Sequence, residues 1–173
     1  PHSRKMVQVH LALRDFTEDA LGRERTPRDP TVFRRDGRPR ALFISSPIGL
    51  GHAMRDLAIA RELRGLHAEV EIDWLAQHPV TAVLETHGER IHPLSRELAS
   101  ESGHIAAEAA GHDLNAFQAI RRMDEILVAN FMVFHDAVDA GEYDLVIADE
   151  AWDVDHFLHE NPELKRTAFA WLT

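Results

Sequence analysis

The sequence of 173 residues contains no cysteine. A disulfide framework, a thiolate zinc site and a cysteine nucleophile are therefore excluded. The sequence also has no apolar run of about 18 residues, which a membrane-spanning helix needs, and no apolar core of the signal-peptide type near its start. We therefore expect a cytoplasmic protein.

Basic residues are scarce after residue 40. Residues 1–40 hold ten Lys or Arg against six Asp or Glu, whereas residues 41–173 hold nine against 23. Nucleic-acid-binding domains present a basic face, so the acidic body disfavours that class and we expect no nucleic-acid partner. For the basic leader we favour a solvated tail, with weak contact to an anionic membrane surface as the alternative.

Short apolar runs alternate with amphipathic stretches from residue 40 onward. We predict strands at 41–44, 70–75, 90–92, 144–148 and 167–172, and helices at 53–66, 79–87, 114–140 and 152–159. Continuous apolar strands are typical of a parallel sheet that is buried on both faces. The alternation predicts an α/β fold, a Rossmann-like doubly wound parallel sheet with helices on both faces.

Two parts of the chain are distinguished by composition. Residues 1–39 combine a predicted helix over 6–21 with a connector rich in Arg, Pro and Gly, and residues 40–173 form the predicted Rossmann-like domain. Within that domain, residues 95–112 are small, polar and rich in His and Glu, which predicts a long surface loop. Asp113 is the expected N-cap of the longest helix, and Gly141 its expected end.

Two segments fall where such a fold binds its ligands, beyond the carboxyl ends of the strands and near the reversal in strand order. One is SSPIGLGHAMRD, residues 45–56, after the first strand, and the other is Asp149-Glu150 after the fourth. Glycines let a ligand approach the backbone, and the helix that follows offers N–H groups and partial positive charge. The candidate catalytic residue is His52, and the candidate substrate-binding residues are Ser46, Gly49, Leu50, Gly51, Asp149 and Glu150.

The residues around these glycines exclude the commonest phosphate-binding motifs. His52 and Ala53 stand where a phosphate loop needs Lys and Ser or Thr. A dinucleotide fingerprint is disfavoured because Met54 takes the position of the third glycine and Asp73 lies in mid-strand. We therefore expect no cofactor.

The start of the helix also bears on the charge of His52. The positive field of a helix N-terminus disfavours an imidazolium, so we expect a neutral His52, the form that acts as a general base. The alternative is structural: Gly49 and Gly51 make a tight turn and His52 hydrogen-bonds the loop. Asp149 and Glu150 are likewise either ligand-facing or part of a turn that initiates a helix.

A second histidine pattern lies near the C-terminus. His156 and His159 are one helical turn apart in the acidic stretch DVDHFLHE, a spacing that suits a metal ion. No further ligand is identifiable beside them, and the chain has 12 histidines in all. We interpret the stretch as a solvated helix and expect no metal site.

The 15 residues GLGHAMRDLAIAREL, 49–63, resemble the start of GT-B fold glycosyltransferases. The similar group contains the N-acetylglucosaminyltransferase of peptidoglycan synthesis and related UDP-sugar transferases. The Gly-x-Gly-His-x-x-Arg pattern is also similar to that of the nucleotide-sugar hydrolase of pseudaminic acid synthesis, which shares the fold. The resemblance implies that Gly49, Gly51 and His52 line a cleft, with the histidine near the reacting centre.

The same resemblance implies partners. The donor would be a UDP-type nucleotide sugar held by a second Rossmann-like domain that this chain lacks, and the acceptor a small or lipid-linked molecule bound by residues 40–173. On this hypothesis the chain is the acceptor domain of a hexosyltransferase and has no turnover by itself. The alternatives are a nucleotide-sugar hydrolase or epimerase domain of the same fold, and a non-catalytic ligand-binding or interaction domain, with a homodimer as one form of it.

Overall fold

The computed structural model describes residues 37–99 and 116–173, the side chains of 116–122 excepted. The predicted helix over 6–21, most of the predicted connector and the N-cap assigned to Asp113 lie outside the described residues. So does most of the loop predicted over 95–112.

Within residues 37–99 and 116–173, five strands form one sheet in which every pairing is parallel. In chain order the elements are β1 (Arg40–Ile44), α1 (Leu50–Leu66), β2 (Glu71–Leu75), α2 (Val80–Thr86), β3 (Arg90–Ile91), α3 (Ala116–Gly141), β4 (Leu145–Asp149), α4 (Trp152–Glu160) and β5 (Ala168–Leu172). The strand order is β3-β2-β1-β4-β5, so β1 and β4 are neighbours at the point where the order reverses. This is the predicted α/β Rossmann-like architecture.

The core is split into two layers by the sheet because successive strand side chains point to opposite faces. On one face Phe43 and Trp74 stack with ring centroids 4.5 Å apart, beneath α1 and α2. On the other face Leu42 and Ile44 pack against α3 and α4, which contribute buried phenylalanines such as Phe131. Helices therefore cover both faces, as predicted.

The element boundaries differ from the predicted ones in two places that matter. Helix α1 begins at Leu50 rather than at residue 53, so His52 is the third residue of the helix. Helix α3 includes Gly141, and the left-handed residue that follows it is Glu142, with φ 53°. Two short 3₁₀ helices, Pro93–Glu97 and Pro162–Leu164, were not predicted.

Gly141 is needed for packing rather than for a turn. A Cβ at this position would lie 2.0 Å from the ring of Tyr143, which is buried. The Tyr143 hydroxyl donates to Asp73 at 2.7 Å, and Arg40 donates to the same carboxylate at 2.9 Å. Burial raises the pKa of Asp73, but the bonds from Tyr143, Arg90 and Arg40 outweigh it and hold that pKa below its usual value.

None of the helices that the structure describes is long and apolar enough to cross a membrane.

Candidate functional site

A histidine–aspartate pair lies at the carboxyl edge of the sheet, at the reversal in strand order. His52 comes from the first turn of α1 and Asp149 from the last position of β4. Nδ1 of His52 is 2.7 Å from Oδ2 of Asp149, and the Asp149 side chain is fully buried. A buried carboxylate needs donors around it, and this contact supplies one of them.

Arg55 supplies a second donor to the same carboxylate. Its Nη2 donates to Oδ1 of Asp149, and it also lies 3.4 Å from Nδ1 of His52. A protonated Nδ1 cannot accept from Arg55, and the shorter contact to Asp149 decides in favour of the Nδ1–H tautomer. In that tautomer the lone pair of His52 is on Nε2, which is the acceptor a general base requires.

Glu150 stands on the other side of the imidazole. Its Oε2 lies 3.8 Å from Nε2 of His52, beyond hydrogen-bond distance. The Glu150 backbone has φ 47°, a left-handed conformation that costs a non-glycine residue of the order of 1 kcal/mol. Its N–H donates to the carbonyl of Leu172 at 3.2 Å, and its carbonyl accepts from Trp152, so neighbouring elements hold this turn.

The two glycines have a different role from a tight turn. Gly49 is the extended N-cap of α1, with φ −174°, and Gly51 lies within the helix. Neither has a left-handed backbone, and a Cβ at either position would meet no described atom within 4 Å. The turn lies one step earlier, at Pro47 and Ile48. The glycines therefore leave open space beside the start of α1, which no side-chain cap fills.

Behind the pair lies a second buried carboxyl group, Asp56. It is fully buried on the inner face of α1, and the Ser45 hydroxyl donates to its Oδ2 at 2.5 Å. Its Oδ1 is buried with no hydrogen-bond partner among the described residues. Burial raises the pKa of Asp56 to about 7; the Ser45 bond opposes this shift, and the charge of Asp149 adds to it.

A groove opens beside these groups on the face of the sheet covered by α3 and α4. It is lined by the carboxyl ends of β1, β2 and β4 and by the start of α4, including Ser46, Asp149, Glu150 and Trp152. Ser46 is buried, and its Oγ accepts from the N–H of Ile48 at 3.3 Å.

Of the seven predicted site residues, Ser46, Asp149 and Glu150 line the groove. His52 is not itself a lining residue but contacts Asp149 beside it. Gly49, Leu50 and Gly51 lie at the adjoining helix start and are not among the groove-lining residues. The Leu50 side chain is half exposed.

Sequence reasoning missed Arg55 and Asp56 as site residues, although both left a signal. Arg55 is three positions after His52 and therefore on the same side of the helix. Asp56 lies within the apolar stripe of α1, whose buried members are Ala53, Asp56, Leu57 and Ala60. A carboxyl group in a buried stripe has to be neutral or paired.

Two other polar residues considered from the sequence lie elsewhere. Asp73 is the third residue of β2, bonded to Arg40, Arg90 and Tyr143, and so is not available to a ribose at the carboxyl edge. His156 and His159 are on the exposed side of α4, where the His156 ring packs edge-on against Phe157.

The fold and site together define a Rossmann-like α/β domain with a histidine–aspartate pair at the reversal in strand order. No protein-family model matches the chain, and no curated protein matches it. Among solved structures it is similar to the C-terminal domain of a hydrogenase from Pyrococcus furiosus. The two are 11% identical with a TM-score of 0.44, covering 82% of this chain and 97% of that one.

Proposed function

We propose that this chain is the acceptor-binding domain of a glycosyltransferase that moves a sugar from a nucleotide-sugar donor to an acceptor hydroxyl. The observation that carries the proposal is the contact between His52 and Asp149 at the reversal in strand order, 2.7 Å long. A buried carboxylate that fixes one ring nitrogen leaves the other nitrogen positioned to take a proton. We infer the type of reaction from the resemblance of residues 49–63 to GT-B fold transferases.

In this reaction His52 is the general base. Its Nε2 takes the proton of the acceptor hydroxyl while that oxygen attacks the anomeric carbon of the donor sugar. The bond from the anomeric carbon to the diphosphate breaks, and the nucleoside diphosphate leaves with the electron pair. Asp149 keeps Nδ1 protonated and stabilises the imidazolium that forms, which is the role of the carboxylate in other His–Asp pairs.

The groove beside the pair is the proposed acceptor site. Its lining is predominantly apolar, and the polar groups it contains include Ser46 and Glu150, the latter 3.8 Å from Nε2 of His52. Such a mixture is typical of small-molecule sites. The open space at Gly49 and Gly51, next to N–H groups with no side-chain cap, suits the departing diphosphate.

The donor would be held by a second domain outside these 173 residues, as the GT-B resemblance implies. We therefore expect no transfer by the 173-residue chain alone. The test compares this chain with the two-domain protein that the proposal requires, using a panel of UDP-sugars and mass spectrometry of the products. Efficient transfer by the chain alone would refute the two-domain proposal, whereas donor hydrolysis without any acceptor product would favour the nucleotide-sugar hydrolase.

The role of His52 has its own test in the transferring protein. We expect His52→Ala to lower kcat by about 10²- to 10⁴-fold, the usual contribution of a general base, and Asp149→Asn to lower it in the same direction. His67→Ala is the matched control, because His67 is exposed at the opposite end of α1. Unchanged kcat in a folded His52→Ala variant would remove His52 from the mechanism.

A further inference from the structure

The charge of the groove restricts what it can hold. Three carboxylates line it, Asp149, Glu150 and Asp153, and no Lys, Arg or His is among its described lining residues. The charge of Asp149 is offset by the guanidinium of Arg55, which contacts it. Glu150 lies against Nε2 of His52 only at 3.8 Å and is about one quarter exposed. The groove therefore presents net negative potential to a molecule inside it, which attracts cations and repels anions.

An exposed aromatic ring stands beside these carboxylates. Trp152 is 59% exposed although it is one of the largest apolar side chains, and it lines the groove next to Glu150. It packs edge-to-face on Trp171 with ring centroids 5.4 Å apart, so its orientation is held by β5. An indole face near carboxylates is a favourable environment for an ammonium group.

The rest of the lining is apolar. Ile44, Leu75 and Phe134 form part of the groove, so its occupant has to bury hydrocarbon surface as well. An inorganic cation or a highly polar sugar would leave these side chains without a partner. An organic amine with an apolar body satisfies all three features of the groove.

We infer that the acceptor is an apolar molecule that carries a protonated amine in addition to the hydroxyl that receives the sugar. This inference rests on the proposed function, because the hydroxyl is placed by the role of His52. Charge complementarity with Glu150, and contact with Trp152, would hold the amine. Anionic acceptors would be rejected.

Three phenols of nearly equal size test the charge selectivity directly on the 173-residue chain. Tyramine is cationic at neutral pH, tyrosol is neutral and 3-(4-hydroxyphenyl)propionate is anionic. Binding is measured at low salt by amide chemical-shift perturbation, which also reports where each phenol binds. We expect tyramine to bind in the groove about five- to tenfold more tightly than tyrosol, and the propionate to bind more weakly than either.

Substitutions then assign the selectivity to its residues. Glu150→Gln keeps the side-chain shape and should reduce the tyramine preference to about twofold or less, because the nearest carboxylate charge is gone. Glu62→Gln, on the exposed side of α1, should leave the preference unchanged. Trp152→Leu should weaken tyramine more than tyrosol, since leucine has no π face. Raising the salt concentration should shrink the difference between the three phenols.

Several results would overturn the inference: equal affinity for all three phenols, preference for the propionate, binding outside the groove, or no binding of any of them. The results distinguish failure of the transferase proposal from failure of the inference about the amine. Selective binding of tyramine without sugar transfer by the two-domain protein would reject the transferase and keep the selectivity of the groove. Sugar transfer to anionic as readily as to cationic phenols would reject the inference and keep the transferase.

Discussion

Replacing Asp56 by asparagine should stabilise the protein at neutral and alkaline pH and leave its stability almost unchanged in acid. Asp56 is fully buried, and one of its two oxygens has no hydrogen-bond partner among the described residues. Ionising such a group in the folded state is unfavourable because water no longer solvates the charge. Asparagine has nearly the same shape and no proton to lose.

The magnitude follows from the pKa. Burial raises the pKa of Asp56 from 3.8 to about 7, with the bond from Ser45 opposing the shift and the charge of Asp149 adding to it. Each pKa unit corresponds to about 1.4 kcal/mol, so a shift of about three units is worth about 4 kcal/mol. Between about pH 4 and pH 7 the folded chain keeps this proton while the unfolded chain has released it. The wild type therefore loses up to about 1.4 kcal/mol of stability per pH unit from this group, and nothing further above pH 7.

The assay is urea denaturation followed by circular dichroism, at pH values from about 4 to about 8.5. We expect the free energy of unfolding of Asp56→Asn, minus that of the wild type, to rise by about 4 kcal/mol across this range. The difference cancels the titration of the groups whose charges do not interact with that of Asp56. Glu62→Gln, on the exposed side of the same helix, is the control and should show a flat difference.

Two results would refute the reasoning. A difference that does not change with pH would mean that Asp56 has an ordinary pKa in the folded chain. A difference that falls as the pH rises would mean that the carboxylate is paired and that its charge stabilises the fold. In either case Asp56 would be charged at neutral pH, next to the charge of Asp149.

Two further predictions concern the buried network around Asp73. Gly141→Ala should destabilise the chain by about 1–3 kcal/mol, because its Cβ would overlap the buried ring of Tyr143. Gly65→Ala is the control, since a Cβ there meets no described atom, and it should be neutral or slightly stabilising. Thermal melts measure both effects. Tyr143→Phe removes a donor to Asp73 and should cost about 1–3 kcal/mol near neutral pH. The pKa of Asp73 is lowered in the folded chain, so the bond from Tyr143 stabilises the fold while Asp73 is ionised. The cost of Tyr143→Phe should therefore diminish as the pH falls below about 4, and a cost that does not depend on pH would contradict this prediction.

The fold was predictable from local patterns because each strand carries its own signal. The run Ala41–Ile44 is wholly apolar, as a strand between two helical layers must be, and the structure extends it only to Arg40. The start of α1 was predicted too late because Gly49 and Gly51 suggested a loop. Glycine disfavours a helix but does not forbid one, and the first turn here is stabilised by what it contacts in the sheet.

The end of α3 shows a similar limit. Glycine commonly marks the end of a helix, so Gly141 was expected to end this one. The structure gives the left-handed conformation to Glu142 and uses Gly141 to make room for Tyr143. That requirement comes from a side chain in the core, and local sequence patterns do not describe it.

The site was only half predictable for the same reason. His52 and Asp149 were identified separately, each from its position after a strand, but they are 97 residues apart and only the β1–β4 pairing brings them together. Arg55 and Asp56 belong to the site because α1 lies across that edge with its inner face on the sheet. The spacing of these residues is visible in the sequence, whereas the contact of His52 and Arg55 with one carboxylate depends on how the helix packs.

The two buried carboxyl groups at this edge have different partners, and this difference assigns their roles. His52 and Arg55 both contact Asp149, so negative charge is stabilised there. Among the described residues Asp56 has only the Ser45 hydroxyl as a hydrogen-bond partner, and the charge on Asp149 opposes a second charge beside it. A neutral Asp56 therefore adds no second negative charge beside the Asp149 carboxylate that orients His52. Helix α1 supplies this neutral group at position 56 and the two residues that contact Asp149 at positions 52 and 55.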